Sequence, residues 1–182
     1  MGKSPSSCSV AVECGYEAQV ARWLNVDFIN LGFSGNGLGE NAVAEAITEI
    51  DAACFVLDYW GNPTPQVFQE TLPKFVGILR KKNPSTPILI TGPYFIPAET
   101  TTRQTDGDWA QKRNIAKEFV DQQRRAGDKS ISYVDGLEML SREQANGLVD
   151  GVHCNSLGFY FCAKGLEPHL KKALKLRASR RK

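Results

Sequence analysis

The sequence predicts an α/β fold built on a parallel sheet. Short apolar runs bounded by turn residues recur along the chain, the pattern of strands covered on both faces. Between them lie longer segments whose apolar residues return every three or four positions, the mark of helices with one buried side. Strands that alternate with helices in this way favour parallel pairing through crossover helices. A chain of 182 residues, 42% of them apolar, can bury a core of its own. No internal repeat or linker divides it. We expect one domain over residues 1–174 and a basic tail over 175–182.

Each element has its own signal. Residues 16–24 predict a short helix and 27–31 (DFINL) a strand. A helix over 40–50 puts Val43, Ile47 and Ile50 on one face. Residues 53–58 (ACFVLD) are the strongest strand signal. A helix over 64–82 aligns Phe68, Leu72, Phe75 and Leu79. A strand over 87–92 follows, then a polar loop over 100–108. The next helix, 109–126, carries Ile115, Phe119 and Val120 and stops at Gly127, a common helix terminator. A last strand, 131–135, precedes a last helix that starts near Leu157 and buries Phe161, Leu166 and Leu170.

Composition excludes several classes. The formal net charge is +2, so no global field draws the chain to nucleic acid or an anionic membrane. The charge is uneven: residues 1–100 hold 6 Lys and Arg against 10 Asp and Glu, and residues 101–182 hold 16 against 10. Seven of the last twelve residues are basic, which reads as a solvated helix end. No apolar run is long enough to span a bilayer. The opening MGKSPSSCSV lacks the apolar stretch of a secretory signal. The five cysteines include no CxxC pair, which argues against a disulfide framework or a structural zinc site.

In an open parallel sheet, ligands bind beyond the carboxyl ends of the strands, so the loops there carry the chemistry. Three of these loops are polar. Gly35 lies in the first and Asn62 in the second. A glycine lets a backbone N–H come close to a developing oxyanion, and an Asn amide donates without adding charge. The third loop holds Asp150 and His153. This spacing lets the carboxylate accept from one imidazole nitrogen while the other faces a nucleophile, as a base and its orienting partner require. The only other histidine, His169, falls in the basic C-terminal helix and reads as structural. Tyr59 and Trp60 flank the Asn62 loop, as a wall for substrate or as core aromatics.

The blocks NLGFSGNG (30–37), VLDYWGN (56–62) and DGVHCNSLGF (150–159), in this order, resemble the SGNH, or GDSL-type, hydrolases. They are most similar to the branch of bacterial esterases whose first block reads G-T-S. The resemblance covers residues 15–174. It implies a three-layer α/β/α, flavodoxin-like fold whose first, central strand is missing or degenerate here. It implies cleavage of short-chain acyl esters, acetylated carbohydrate among them, with no metal or organic cofactor. By the same resemblance His153 is the base, Asp150 its partner, and Gly35 and Asn62 are oxyanion donors.

The nucleophile admits two registers. Gly2-Lys3-Ser4 aligns with the family's G-x-S, which makes Ser4 both nucleophile and third oxyanion donor. Alternatively, residues 8–12 form the central strand, and Cys14 at its carboxyl end attacks as a thiolate. Ser6, Ser7 and Ser9 are further candidates, and a relative without a competent nucleophile would bind a ligand on the same rim. A dinucleotide-binding reading also exists: Gly35-x-Gly37 precedes a helix, and Asp58 follows at the spacing of a ribose-binding acid. Glu40 stands against it, because it occupies the third glycine's place at the helix N-terminus, where a pyrophosphate would sit.

Overall fold

The computed structural model describes residues 12–33, 35–100 and 106–176. The apolar runs become three short parallel strands, β1 (Phe55–Leu57), β2 (Ile88–Thr91) and β3 (Ile131–Val134), in the order β1-β2-β3. Leu57 stands opposite Ile90, and Ile90 opposite Tyr133. All four residues of the middle strand are buried, which is why Ile88, Leu89 and Ile90 run apolar without alternation.

The expected strand over 27–31 does not form. That segment joins no ladder among the described residues, and Phe28 and Ile29 are 45% and 65% exposed. An apolar run is not held as a strand by its composition; it needs a paired edge. A cavity of about 550 Å³ separates residues 26–31 from β1, bordered by Val20, Ile47, Leu166 and Leu170.

Among the described residues, six helices surround the sheet: α1 (Tyr16–Leu24), α2 (Asn41–Ile47), α3 (Pro65–Lys82), α4 (Asp106–Arg125), α5 (Gly136–Met139) and α6 (Ser156–Ala173). Their ends follow local chemistry. The Thr64 hydroxyl accepts the Val67 N–H at 3.2 Å and Pro65 opens α3, two devices that satisfy or remove orphan donors. Arg80, Lys81 and Lys82 close the same helix, where its dipole favours cations. Asn25 ends α1 in the left-handed region at φ 52°, which Asn tolerates better than most residues. The helix expected over 40–50 stops at Ile47 and continues as turns. The polar loop expected over 100–108 instead contains the end of a 3₁₀ turn (Pro97–Thr100) and the start of α4.

The layers follow from which helices touch. α1 packs on α6, with α5 beside it; α2 packs on α3, and α3 on α4. β2 contacts α4 from one group and α6 from the other, so the sheet lies between them. The α3 stripe of Phe68, Leu72, Phe75 and Leu79 is wholly buried. Arg80 ties the foot of this layer: its guanidinium donates to Asp128 at 2.7 Å and to the Thr86 carbonyl at 2.6 Å. All three strands point their carboxyl ends to one rim.

Candidate active site

The rim rests on a buried polar node. Asp58 follows β1 and Thr91 ends β2. The Asp58 carboxylate accepts the Tyr16 hydroxyl at 2.7 Å and the Thr91 hydroxyl at 2.5 Å. All three side chains are buried, so each hydroxyl satisfies an oxygen that water cannot reach. Burial, with the Asp58 charge second, pushes the Tyr16 phenol well above its ordinary range. Held in this way, Asp58 is not available to a ribose hydroxyl, which removes the acid that a dinucleotide site would use.

The Asp150–His153 loop is a small hairpin. Leu148 and Cys154 form an antiparallel bridge, and the Val149 N–H donates to the His153 carbonyl at 2.7 Å. Gly151 turns the tip at φ 83°. Within it, one oxygen of Asp150 accepts the backbone N–H groups of Val152 at 2.9 Å and His153 at 2.8 Å. The other lies 2.7 Å from Nδ1 of the His153 ring. The backbone N–H of His153 foremost, then its ring, then the N–H of Val152, hold the Asp150 carboxyl well below the usual carboxylate range. An ionised carboxylate only accepts, so Nδ1 is the donor in this contact. The imidazole remains partly open, at 39% side-chain exposure. The two side chains that the spacing pairs are therefore in direct contact.

The Gly35 loop is a tight turn closed by the Asn36 N–H on the Phe33 carbonyl at 3.0 Å. Gly35 sits at φ 72° with open space where a side chain would be. Its N–H and the Asn62 side-chain amide make no hydrogen bond among the described residues. Gly39 seats the loop against the next one: a Cβ there would lie 2.7 Å from the Tyr59 ring.

A family model described as the GDSL-like Lipase/Acylhydrolase family matches residues 2–171. The chain belongs to that family. A solved GDSL-like lipase from Bacteroides ovatus is 31% identical, with a TM-score of 0.87, over 97% of this chain and 52% of its own. The salicylyl-acyltransferase SsfX3 of a tetracycline biosynthetic pathway is 21% identical with a TM-score of 0.76, over 92% of this chain and 51% of its own. A carbohydrate esterase family 3 protein from Talaromyces cellulolyticus shares the fold at 18% identity and a TM-score of 0.61, over 85% and 78%. The chain thus spans about half the length of the first two. No curated protein sequence matches it.

The other expected site residues of this GDSL-family chain fall as follows. Ser4, Ser6, Ser7 and Ser9 lie outside the described residues. Cys14 ends a 3₁₀ turn (Val12–Cys14), and its carbonyl accepts the Gln19 amide at 2.7 Å; residues 8–11 of the alternative strand lie outside the described residues. Tyr59 and Trp60 are not a substrate wall: at 4% and 1% exposure both rings are core. Tyr59 packs edge-on against Phe68, and Trp60 edge-on against Tyr94 and Trp109. His169 lies away from the hairpin, 3.4 Å from Glu138. One rim residue has no sequence-level signal. Tyr94 follows β2, and its hydroxyl donates to the Val152 carbonyl at 2.6 Å.

No helix of the described residues is long and apolar enough to cross a membrane.

Proposed function

We propose that this GDSL-family chain is a serine esterase that cleaves short-chain carboxylic esters, acetylated carbohydrate among them, through an acyl-enzyme. The observation that carries the reading is the Asp150–His153 pair, whose 2.7 Å contact leaves Nε2 as the basic nitrogen. Two unengaged donors on neighbouring loops, the Gly35 N–H and the Asn62 amide, support it. The carbohydrate esterase among the structural neighbours favours the substrate class.

Ser4 Oγ attacks the ester carbonyl as His153 Nε2 takes its proton. The tetrahedral oxyanion is held by the N–H groups of Ser4 and Gly35 and by the Asn62 amide. His153 returns the proton to the departing alcohol, leaving the acyl group on Ser4. A water then attacks that acyl group, with His153 again the base, and the carboxylic acid is released.

The test is hydrolysis of a chromogenic acetyl ester by the full chain. His153→Ala and Ser4→Ala each lower kcat by about 10³-fold or more. Asn62→Ala lowers it by about 10²–10³-fold with little change in KM. Turnover that survives Ser4→Ala removes Ser4 as nucleophile. Turnover unaffected by His153→Ala, or no turnover by the unmodified chain, overturns the esterase reading.

A further inference from the structure

We infer that Tyr94 is a positioning residue for the Asp150–His153 pair, acting through the peptide unit between Val152 and His153. The inference takes the esterase reading of that pair as its frame. It rests on three observations.

First, the Tyr94 hydroxyl donates to the Val152 carbonyl at 2.6 Å. That carbonyl and the His153 N–H belong to one peptide group. The N–H on its far side donates to Asp150 at 2.8 Å. Hydroxyl, peptide and carboxylate therefore form one chain of hydrogen bonds. A donor on the carbonyl oxygen polarises the amide, and its N–H becomes a stronger donor in turn. The same N–H is the foremost group stabilising the Asp150 charge.

Second, the phenol is fixed. Tyr94 is 6% exposed, and its ring meets Trp60 edge-on with centroids 4.9 Å apart and planes at 90°. Burial leads the causes that push its hydroxyl far above the ordinary phenol range, so it stays a donor at any working pH.

Third, the ring joins two loops. Trp60 lies two residues before Asn62, and Val152 lies one before His153. Tyr94 thus spans from the loop of the proposed oxyanion donor to the loop of the proposed base. The hairpin tip is otherwise exposed, with Asp150 at 53% of its side-chain area. An exposed turn explores other conformations unless something pins it, and among the described residues no other side chain donates to the Val152 carbonyl.

The substitution that isolates the hydroxyl is Tyr94→Phe, which keeps the ring against Trp60. Two readouts are compared with the unmodified full chain. One is the kcat and KM split on the chromogenic acetyl ester. The other, which needs no turnover, is the downfield proton signal of His153 Nδ1–H, assigned by its loss in His153→Ala. We expect kcat to fall about fivefold to tenfold, the worth of one hydrogen bond, with KM within about twofold. We expect the Nδ1 proton to exchange with solvent at least about fivefold faster. A residue that only packs would leave that proton unchanged. An unchanged signal in Tyr94→Phe overturns the inference, as does an unchanged kcat in an active chain. An unmodified chain that lacks the signal overturns it too, because the pair is then not formed. A chain that shows the signal but cleaves no ester defeats the esterase reading alone, and the proton comparison still decides the role of Tyr94.

Discussion

The buried node at Asp58 sets the rim, and its removal has a size that follows from its geometry. Tyr16→Phe deletes the donor on one carboxylate oxygen, 2.7 Å away, and Thr91→Val deletes the donor on the other, 2.5 Å away. Neither substitution opens a cavity, since each keeps nearly the same shape. What each leaves is a buried acceptor short of a partner, which costs about 1–3 kcal/mol. For a chain of this length, about 2 kcal/mol lowers Tm by about 4–8 °C. Urea unfolding followed by tryptophan fluorescence gives the free energies, and thermal circular dichroism gives Tm. The two hydroxyls share one carboxylate, so their losses do not add: the double variant departs from the sum by more than about 0.5 kcal/mol. Single variants within about 0.5 kcal/mol of the unmodified chain would show that the node does not hold the rim.

Two further outcomes test other parts of the fold. Burial pushes the Glu17 carboxyl from 4.5 up to about 7. The folded chain therefore keeps a proton that the unfolded chain has lost, so this stability is present below pH 4.5, declines as pH rises toward 7 and is gone above it. Glu17→Gln removes up to about 3 kcal/mol of that decline, read as urea midpoints at pH 5 and pH 8, and a pH dependence identical to the unmodified chain refutes the assignment. Gly39→Ala combines φ 84° with a Cβ 2.7 Å from the Tyr59 ring; it costs about 2–4 kcal/mol in urea unfolding, and a loss below about 0.5 kcal/mol refutes the close seating of the Gly35 loop.

Strands β1 and β2 are legible because segments covered on both faces are mostly apolar, whereas β3 (ISYV), buried only at Ile131 and Val134, is legible as a short run bounded by turn residues. Residues 27–31 carry the same signal and fail, because pairing is a property of the neighbour and not of the run. Asp150 and His153 are legible for the opposite reason: their contact is closed within one hairpin, so spacing alone constrains it. Tyr59 and Trp60 mislead because a loop aromatic has two destinations, and sequence does not say which way the ring turns. Here residues 57–60 are all buried. Tyr94 is silent in the sequence. Its partner is a backbone carbonyl 58 positions away, and any residue at 152 supplies the same oxygen.

These differences point to how the site is held. Of the three polar loops, only the one with Asn62 directly follows a strand in the described ladder. The Gly35 loop follows an unpaired segment, and the His153 hairpin precedes a helix. The sheet alone therefore does not fix their relative positions. What spans the gaps is a series of cross-loop contacts: Gly39 against Tyr59, Trp60 against Tyr94, and Tyr94 on Val152. Each joins one loop to the next, and the Tyr16–Asp58–Thr91 node anchors the series to α1 and to the ends of β1 and β2. The geometry the proposed reaction requires, to within about half an ångström, is then governed by residues outside the proposed catalytic set. Sensitivity to substitution should follow this belt rather than the sheet, so that shortening Tyr94 by one oxygen disturbs the proposed base more than shortening an aliphatic side chain of similar burial in β3.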